Sequence, residues 1–295
     1  MPRKSEYRPD LDSLKISFIF LTCFSNLKLQ AKDPAFLEDL ESNVRPDLCI
    51  TAAYGQYLPK RFLETPSFGT VNIHPSLLPR WRGASPVQRS LEAGDDPVGV
   101  TVLFTVSKMD AGPIVSQKEE TIDENDTATK VLPHLFEIGT ELLLEAMPDL
   151  LSGKINMETA TIQDEEAVVQ ASMISPSEAE FKPWEESAKT LHDRLRGFSM
   201  WPGAFLYLRV GEDAEPTKFK ILETRVLEDT TEPTDTIKPG PTKKSGLRLV
   251  CFDGSILEIN RLQPATRKPM DALSFVNGLQ GKTVSYAKSP EVITG

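Results

Sequence analysis

Asn72 and His74 stand two residues apart in the stretch Val71-Asn72-Ile73-His74-Pro75-Ser76-Leu77-Leu78-Pro79-Arg80-Trp81-Arg82-Gly83. An amide and an imidazole side by side can donate hydrogen bonds to an oxygen on which negative charge develops, or pass a proton. The alternation of apolar and polar residues from Val71 to His74 has the period of a strand. Both polar side chains therefore leave one face, while Val71 and Ile73 leave the other. Pro75 cannot continue a ladder and biases the residue before it to extended geometry, so the strand ends at His74. The pair thus stands at the carboxyl end of a strand, where open α/β sheets bind ligands. The loop that follows can present backbone groups, and Leu77 and Leu78 can supply an apolar wall. A plainer reading fits the same residues: a hydrogen-bonded structural His at a strand end, and an Asn placed beside a turn for turn reasons. Residue type alone leaves both open.

Several elements must hold this strand. Residues 33–43 read as a helix, with Asp33 as N-cap, Pro34 at the first position, and Phe36, Leu37 and Leu40 on one face. Arg45-Pro46-Asp47 breaks it. Leu48 to Ala53 is an apolar run suited to a strand covered on both faces, followed by the loop Tyr54-Gly55-Gln56-Tyr57-Leu58-Pro59 and a short helical stretch at 60–64. Ser85 to Gly94 is a punctuated helix with Ser85 as N-cap and Gly94 at its end. Val98 to Val106 and Ile114 to Glu120 read as strands, the second at an edge. Thr127 to Leu151 reads as a long helix striped by Leu132, Leu135, Ile138, Leu142 and Leu143, with Pro133 and Pro148 as its soft limits. Helix, strand, loop, strand implies a mostly parallel sheet. Residues 152–185 read as connecting chain with a few short strands, and Ser187 to Gly197 as a helix. Strands are expected near 205–209, 217–227, 246–252, 255–263 and 282–286, with 229–245 a polar loop. This second part is a small β domain, most simply a barrel.

Composition narrows the function classes. A chain of 295 residues, 39% apolar and 26% charged, is a globular protein large enough for one large or two ordinary domains. Residues 1–200 carry 20 Lys/Arg against 31 Asp/Glu, and 201–295 carry 13 against 12, so the net −10 lies in the first part. That argues against general nucleic-acid coating, and makes the carboxyl part the place for any polyanion. Cys23, Cys49 and Cys251 are far apart, as are His74, His134 and His192; a reducing compartment, no disulfides and no metal are expected. The apolar run Ile16 to Phe24 is too short to span a bilayer. Glu6, Asp10 and Asp12 make the start a poor transit peptide. A monomer without membrane association is expected.

The spaced set Asn72-x-His74-x-Ser76-Leu77-Leu78-Pro79, then Arg82-Gly83, then Asp110-Ala111-Gly112, resembles the signature of the 10-formyltetrahydrofolate-dependent formyltransferases. In the second part, Arg196-Gly197-Phe198, Trp201-Pro202-Gly203-Ala204, Gly254-Ser255-Ile256-Leu257 and Leu262-Gln263-Pro264-Ala265 resemble the second domain of the branch that acts on methionyl-tRNA. The resemblance implies an α/β fold: a truncated Rossmann-like, mostly parallel sheet domain followed by a small OB-like barrel that holds tRNA. The implied division is a divergent segment 1–30, a catalytic domain 31–151, a linker 152–186 and a tRNA-binding domain 187–295.

The implied reaction takes the formyl group from 10-formyltetrahydrofolate to the α-amine of initiator methionyl-tRNA, without metal. Asn72 and a protonated His74 would stabilise the formyl oxygen, and Asp110 would support His74 and help move a proton. Ser76, Leu77, Leu78 and Pro79 would contact folate, with Tyr54, Gly55 and Gln56 near the pterin. Without the resemblance, Asp110 and Tyr54 to Gln56 read as turn residues.

The family usually carries two strand–helix repeats before the Ala31 region, about 60 residues. Residues 1–30 do not match them, so an amino-terminally truncated chain is expected, with apolar strand edges exposed. Mitochondria would house such an enzyme in a eukaryote, the cytoplasm in a bacterium. Two alternatives stand beside this reading: a folate-dependent enzyme formylating a small amine, such as a nucleotide sugar or glycinamide ribonucleotide, and a non-catalytic truncated product.

Overall fold

The computed structural model describes residues 16–18 and 31–289, which divide into two units. The first comprises the described residues up to Pro86, with Pro97–Thr121 and Leu132–Ser172; the second comprises Val87–Asp96, Ile122–Val131 and the chain from Met173. Of the run expected at 16–24, Ile16–Phe18 is a strand; the rest, like most of segment 1–30, lies outside the described residues.

In chain order the elements to the end of the first unit are β1 (Ile16–Phe18), α1 (Pro34–Asp39), β2 (Leu48–Ala52), α2 (Lys60–Leu63), β3 (Thr70–His74), β4 (Arg80–Gly83), α3 (Pro86–Glu92), β5 (Val98–Phe104), β6 (Ile114–Glu120), α4 (Ala128–Leu151) and β7 (Val169–Ala171). The main sheet runs β1-β2-β3-β5-β6. β1, β2 and β3 are parallel, as a helix-connected sheet requires. β5 and β6 are antiparallel because the loop between them is too short for a crossover, and β5 pairs antiparallel with β3. β6 lies at the edge, as expected.

Val71 and Ile73 face packing, as the alternation requires. Gly139 of α4 lies against Ile73 and Val100 so closely that a Cβ there would collide with both, which lets the helix backbone press on the back of β3. Asp33 caps α1 by accepting from Ala35 N at 2.9 Å. The single helix expected at 33–43 is instead α1 followed by a wider π-helical turn, Leu40–Val44, closed by Arg45 in the left-handed region. Pro133 and Pro148 lie inside α4, not at its limits. Each removes one N–H close to a helix end, where the loss is small against the packing of a long helix. Nothing local announces the short parallel pair β4–β7, which draws the connecting segment back beside the loop after β3.

In the second unit the further elements are α5 (Ala188–Gly197), β8 (Ala204–Val210), β9 (Thr217–Thr230), β10 (Lys238–Pro239), β11 (Leu247–Val250), β12 (Ser255–Pro264), β13 (Met270–Asp271), α6 (Ala272–Gly278) and β14 (Val284–Ala287). The antiparallel path is β10-β11-β12-β9-β8-β14, with β13 beside β12. Ile237 N donates to Val284 O at 2.8 Å and Tyr286 N to Asp235 O at 3.0 Å, so the two ends of the path meet and the sheet nearly closes into the expected barrel. Alternate residues Leu206, Leu208, Phe219, Ile221, Leu257 and Ile259 fill it, and Leu191 and Leu195 of α5 pack on the same core. The expected loop 229–245 is not all loop: β9 runs to Thr230, and Lys238–Pro239 pairs with β11. Among the described residues no helix is long and apolar enough to cross a membrane.

Candidate active site

β2 and β3 pair in a register that sets Thr51 opposite Asn72. The buried Thr51 hydroxyl donates to Asn72 Oδ1 at 2.9 Å and lies 3.2 Å from Val71 O. Asn72 Oδ1 is turned to this hydroxyl, and its NH2 is the half left to donate. His74 is 4% exposed, and its Nε2 lies 2.9 Å from Trp81 O. A carbonyl can only accept, so Nε2 carries the hydrogen. Nδ1 faces Asp110 Oδ1 at 3.7 Å, an ion-pair distance when the ring is charged. Asp110 Oδ2 accepts from Gly83 N at 3.0 Å. The β5–β6 loop and the end of β3 therefore bring Asp110 and His74 together on the side to which Asn72 also projects.

The loop after β3 is tied down from below. Ser76 is buried and its hydroxyl donates to Arg80 O at 2.8 Å. Thr101 of β5 donates to Ser76 O at 2.6 Å and accepts from Leu78 N at 3.2 Å. Gln117 of β6 donates to Leu78 O at 2.9 Å and to Thr101 Oγ1 at 2.8 Å. Leu78 is buried, and Leu77 covers Gly99, where any Cβ would strike it. The half-buried Leu77 and Pro79 are what this loop offers a ligand, while Ser76 and Leu78 shape it. Tyr54 is also buried, and its hydroxyl accepts from Ala31 N at 3.1 Å, so it braces its own loop and leaves Gly55 and Gln56 exposed.

Thr51, Thr101, Gln117 and Gln163 are not marked by the sequence alone. A lone polar residue inside an apolar strand run, as at Thr51, is the available signal, but its partner depends on register. Cys49 and Cys251 are free and buried; burial pushes both thiols up to about 12, which leaves them unsuited to nucleophilic work. Among the described residues no group of three or more His, Cys, Asp or Glu side chains is arranged to hold a metal ion.

Known proteins agree with this architecture. Residues 18–147 match the family described as formyl transferase, and 173–280 match the formyl transferase C-terminal domain. A methionyl-tRNA formyltransferase of Listeria innocua is 40% identical over 244 residues, covering 82% of this chain and 73% of the relative. One from Enterococcus faecalis is 37% identical over 240 residues, covering 80% and 72%. HypX from Aquifex aeolicus, solved with tetrahydrofolic acid, shares the fold with a TM-score of 0.60 at 15% identity, over 86% of this chain and 42% of that one. A sugar N-formyltransferase from Shewanella shares it with a TM-score of 0.51 at 23% identity, over 64% and 73%. With both family models matched in order and bacterial relatives aligned through both units, the chain belongs to the formyltransferase family, on its methionyl-tRNA formyltransferase branch.

Proposed function

We propose that this chain transfers the formyl group of 10-formyltetrahydrofolate to the α-amine of initiator methionyl-tRNA, for translation initiation. The observation that carries the reading is the convergence of Asn72, His74 and Asp110 in a member of this family. The folate supplies the formyl group. The bond that forms joins the α-nitrogen to the formyl carbon; the bond that breaks is the one from that carbon to N10 of the folate. As the uncharged amine attacks, the formyl oxygen gains negative charge.

Asn72 donates from the NH2 that Thr51 leaves available. His74 turns its Nε2–H from Trp81 O to the formyl oxygen, the stronger acceptor once charged. Asp110 faces Nδ1 at 3.7 Å and steadies the ring from behind. Together they form an oxyanion site. The proton lost by the amine passes to the leaving nitrogen through Asp110 and water. Leu77 and Pro79 supply the half-buried apolar wall for the folate; Gly55 and Gln56, exposed at the end of β2, are a second contact to it. The barrel of the second unit holds the tRNA, the usual use of OB-like folds.

A small amine as acceptor is the second reading; the fold shared with a sugar N-formyltransferase does not by itself favour it. The relatives at 37 to 40% identity support tRNA over it. Those relatives are bacterial, which supports a cytoplasmic setting over the mitochondrial one.

The test is direct. The purified chain is given 10-formyltetrahydrofolate and charged initiator tRNA, and formylmethionyl-tRNA is measured. Product is expected, and Asn72→Ala should lower turnover about 10²–10³-fold, the scale of one lost oxyanion donor. Transfer to a nucleotide-linked amino sugar in place of tRNA would move the assignment to the second reading. Normal turnover in Asn72→Ala would remove the amide from the chemistry.

A further inference from the structure

Gln163 is 5% exposed and lies two residues beyond Thr161, which pairs with Ile114 through hydrogen bonds of 2.7 and 3.0 Å. Both ends of its side-chain amide are used. Nε2 donates to the carbonyls of Asp110 and Gly112, each at 2.8 Å, and Oε1 accepts from Arg82 Nε at 2.9 Å. Arg82 is itself buried, and its Nη1 donates to Glu165 Oε1 at 2.9 Å. Lys108 closes the circuit by donating to the other Glu165 oxygen at 2.6 Å. These two cations hold the Glu165 carboxyl below its ordinary pKa, the Lys108 hydrogen bond being the larger influence.

The circuit grips Asp110 at two points. Its carboxylate accepts from the backbone of Gly83; its backbone carbonyl accepts from Gln163, which is held by Arg82, the neighbour of Gly83. Asp110 needs such a grip. Its φ is +50°, in the left-handed region that costs a side-chain-bearing residue energy unless its surroundings hold it there. Two residues on, Gly112 passes so close to Phe104 O that a Cβ would collide with it, so the loop has one narrow path. The gap of 3.7 Å between Asp110 and His74 already exceeds a hydrogen bond, and further drift would weaken their coupling.

We propose that Gln163 is a positioning residue for formyl transfer, holding the Asp110 backbone so that the carboxylate faces His74 Nδ1. This rests on Asp110 being part of the transfer machinery. Gln163 touches no reacting atom; it acts by fixing the loop that carries Asp110, with Arg82 as its anchor.

The test uses the full chain and two substitutions. Gln163→Glu keeps an acceptor for Arg82 and the length of the side chain, but has no N–H for the two carbonyls. Gln163→Met keeps the length and loses both functions, and serves if Gln163→Glu does not melt cooperatively. The expected result is a fall in kcat of about 10–100-fold, with KM for 10-formyltetrahydrofolate within about twofold of the parent. In an Asp110→Asn background the same substitution should cost almost nothing further, because the group it positions has already been disabled. A wild-type kcat in Gln163→Glu overturns the proposal. So does an equal loss in both backgrounds, which would mark a general structural role. Asp110→Asn alone at wild-type rate would instead remove Asp110 from the machinery, a separate failure that the single substitution reveals by itself.

Discussion

The Thr51 hydroxyl decides which end of the Asn72 amide is free. With its proton on Asn72 Oδ1, the NH2 is the end turned to the substrate; without it, the amide can rotate and present an acceptor to a developing anion. Thr51→Val keeps the shape of the side chain and removes the hydroxyl. It should lower kcat by about tenfold, less than the loss expected for Asn72→Ala, because rotation still leaves the correct orientation populated for part of the time. Steady-state transfer rates on the two variants check this, and an unchanged kcat in Thr51→Val would mean the amide is oriented by something else. At this scale the sequence shows Asn72 and His74 directly, since strand alternation puts both on one face. Asp110 is legible only through its motif; in isolation it is a turn residue. Thr51 shows only as a polar residue in an apolar run: a β-branched residue suits any strand, and its meaning depends on which strand pairs beside it and in which register.

Helices α4 and α5 are legible as elements because apolar spacing and length agree; Ser187 caps α5 by accepting from Thr190 N at 3.2 Å. The β4–β7 pair and the π-helical turn after α1 are not, because they depend on contacts and backbone geometry that no local periodicity encodes. What α5 grips is equally non-local. His192 is buried, with Nδ1 2.8 Å from Thr224 Oγ1 and Nε2 3.2 Å from Glu124 O. Arg196 beside it donates to Asp126 O at 2.9 Å and to Asp193 Oδ1 at 2.9 Å. Burial pushes the His192 pKa below its ordinary value, more strongly than the Glu124 carbonyl and Asp193 raise it. The unfolded chain therefore takes up a proton near pH 6.5 that the folded chain refuses, so this residue's contribution is fully present above that pH. The contribution is lost as pH falls from there toward the folded value. Urea midpoints between pH 8 and 5.5 should decline on the acid side, with a slope from this group of at most about 1.4 kcal/mol per pH unit. His192→Gln should flatten that part of the curve. An unchanged slope in the variant would assign the acid sensitivity to other groups.

Across the whole molecule, charge is distributed unevenly. The chain is acidic overall, yet residues 201–295 carry 13 cations against 12 anions. β8 and β9 pair Phe205 with Lys220 and Tyr207 with Lys218. Alternation sends Leu206, Leu208, Phe219 and Ile221 into the core, so Phe205, Tyr207, Lys218 and Lys220 share the opposite face, where Phe205 packs on Ile174, Ala179 and Phe198 and the Lys218 ammonium lies 3.5 Å from the centre of its ring. The exposed Lys218 and Lys220 suit a nucleic acid's phosphates. The barrel was legible from its alternating segments, but this grouping required the β8–β9 register. If the second unit holds the tRNA here, Lys218→Glu with Lys220→Glu should weaken binding of initiator tRNA. Losing two phosphate contacts should reduce the slope of log affinity against log salt by about 2. Binding of 10-formyltetrahydrofolate, which the first unit serves, should not change. Gel-shift titrations across salt concentrations, beside a folate titration, read both. An unaltered salt slope with weaker affinity would mean that the new carboxylates repel the tRNA from a distance and that the lysines do not touch it. An unaltered affinity would place the tRNA on another face of the barrel.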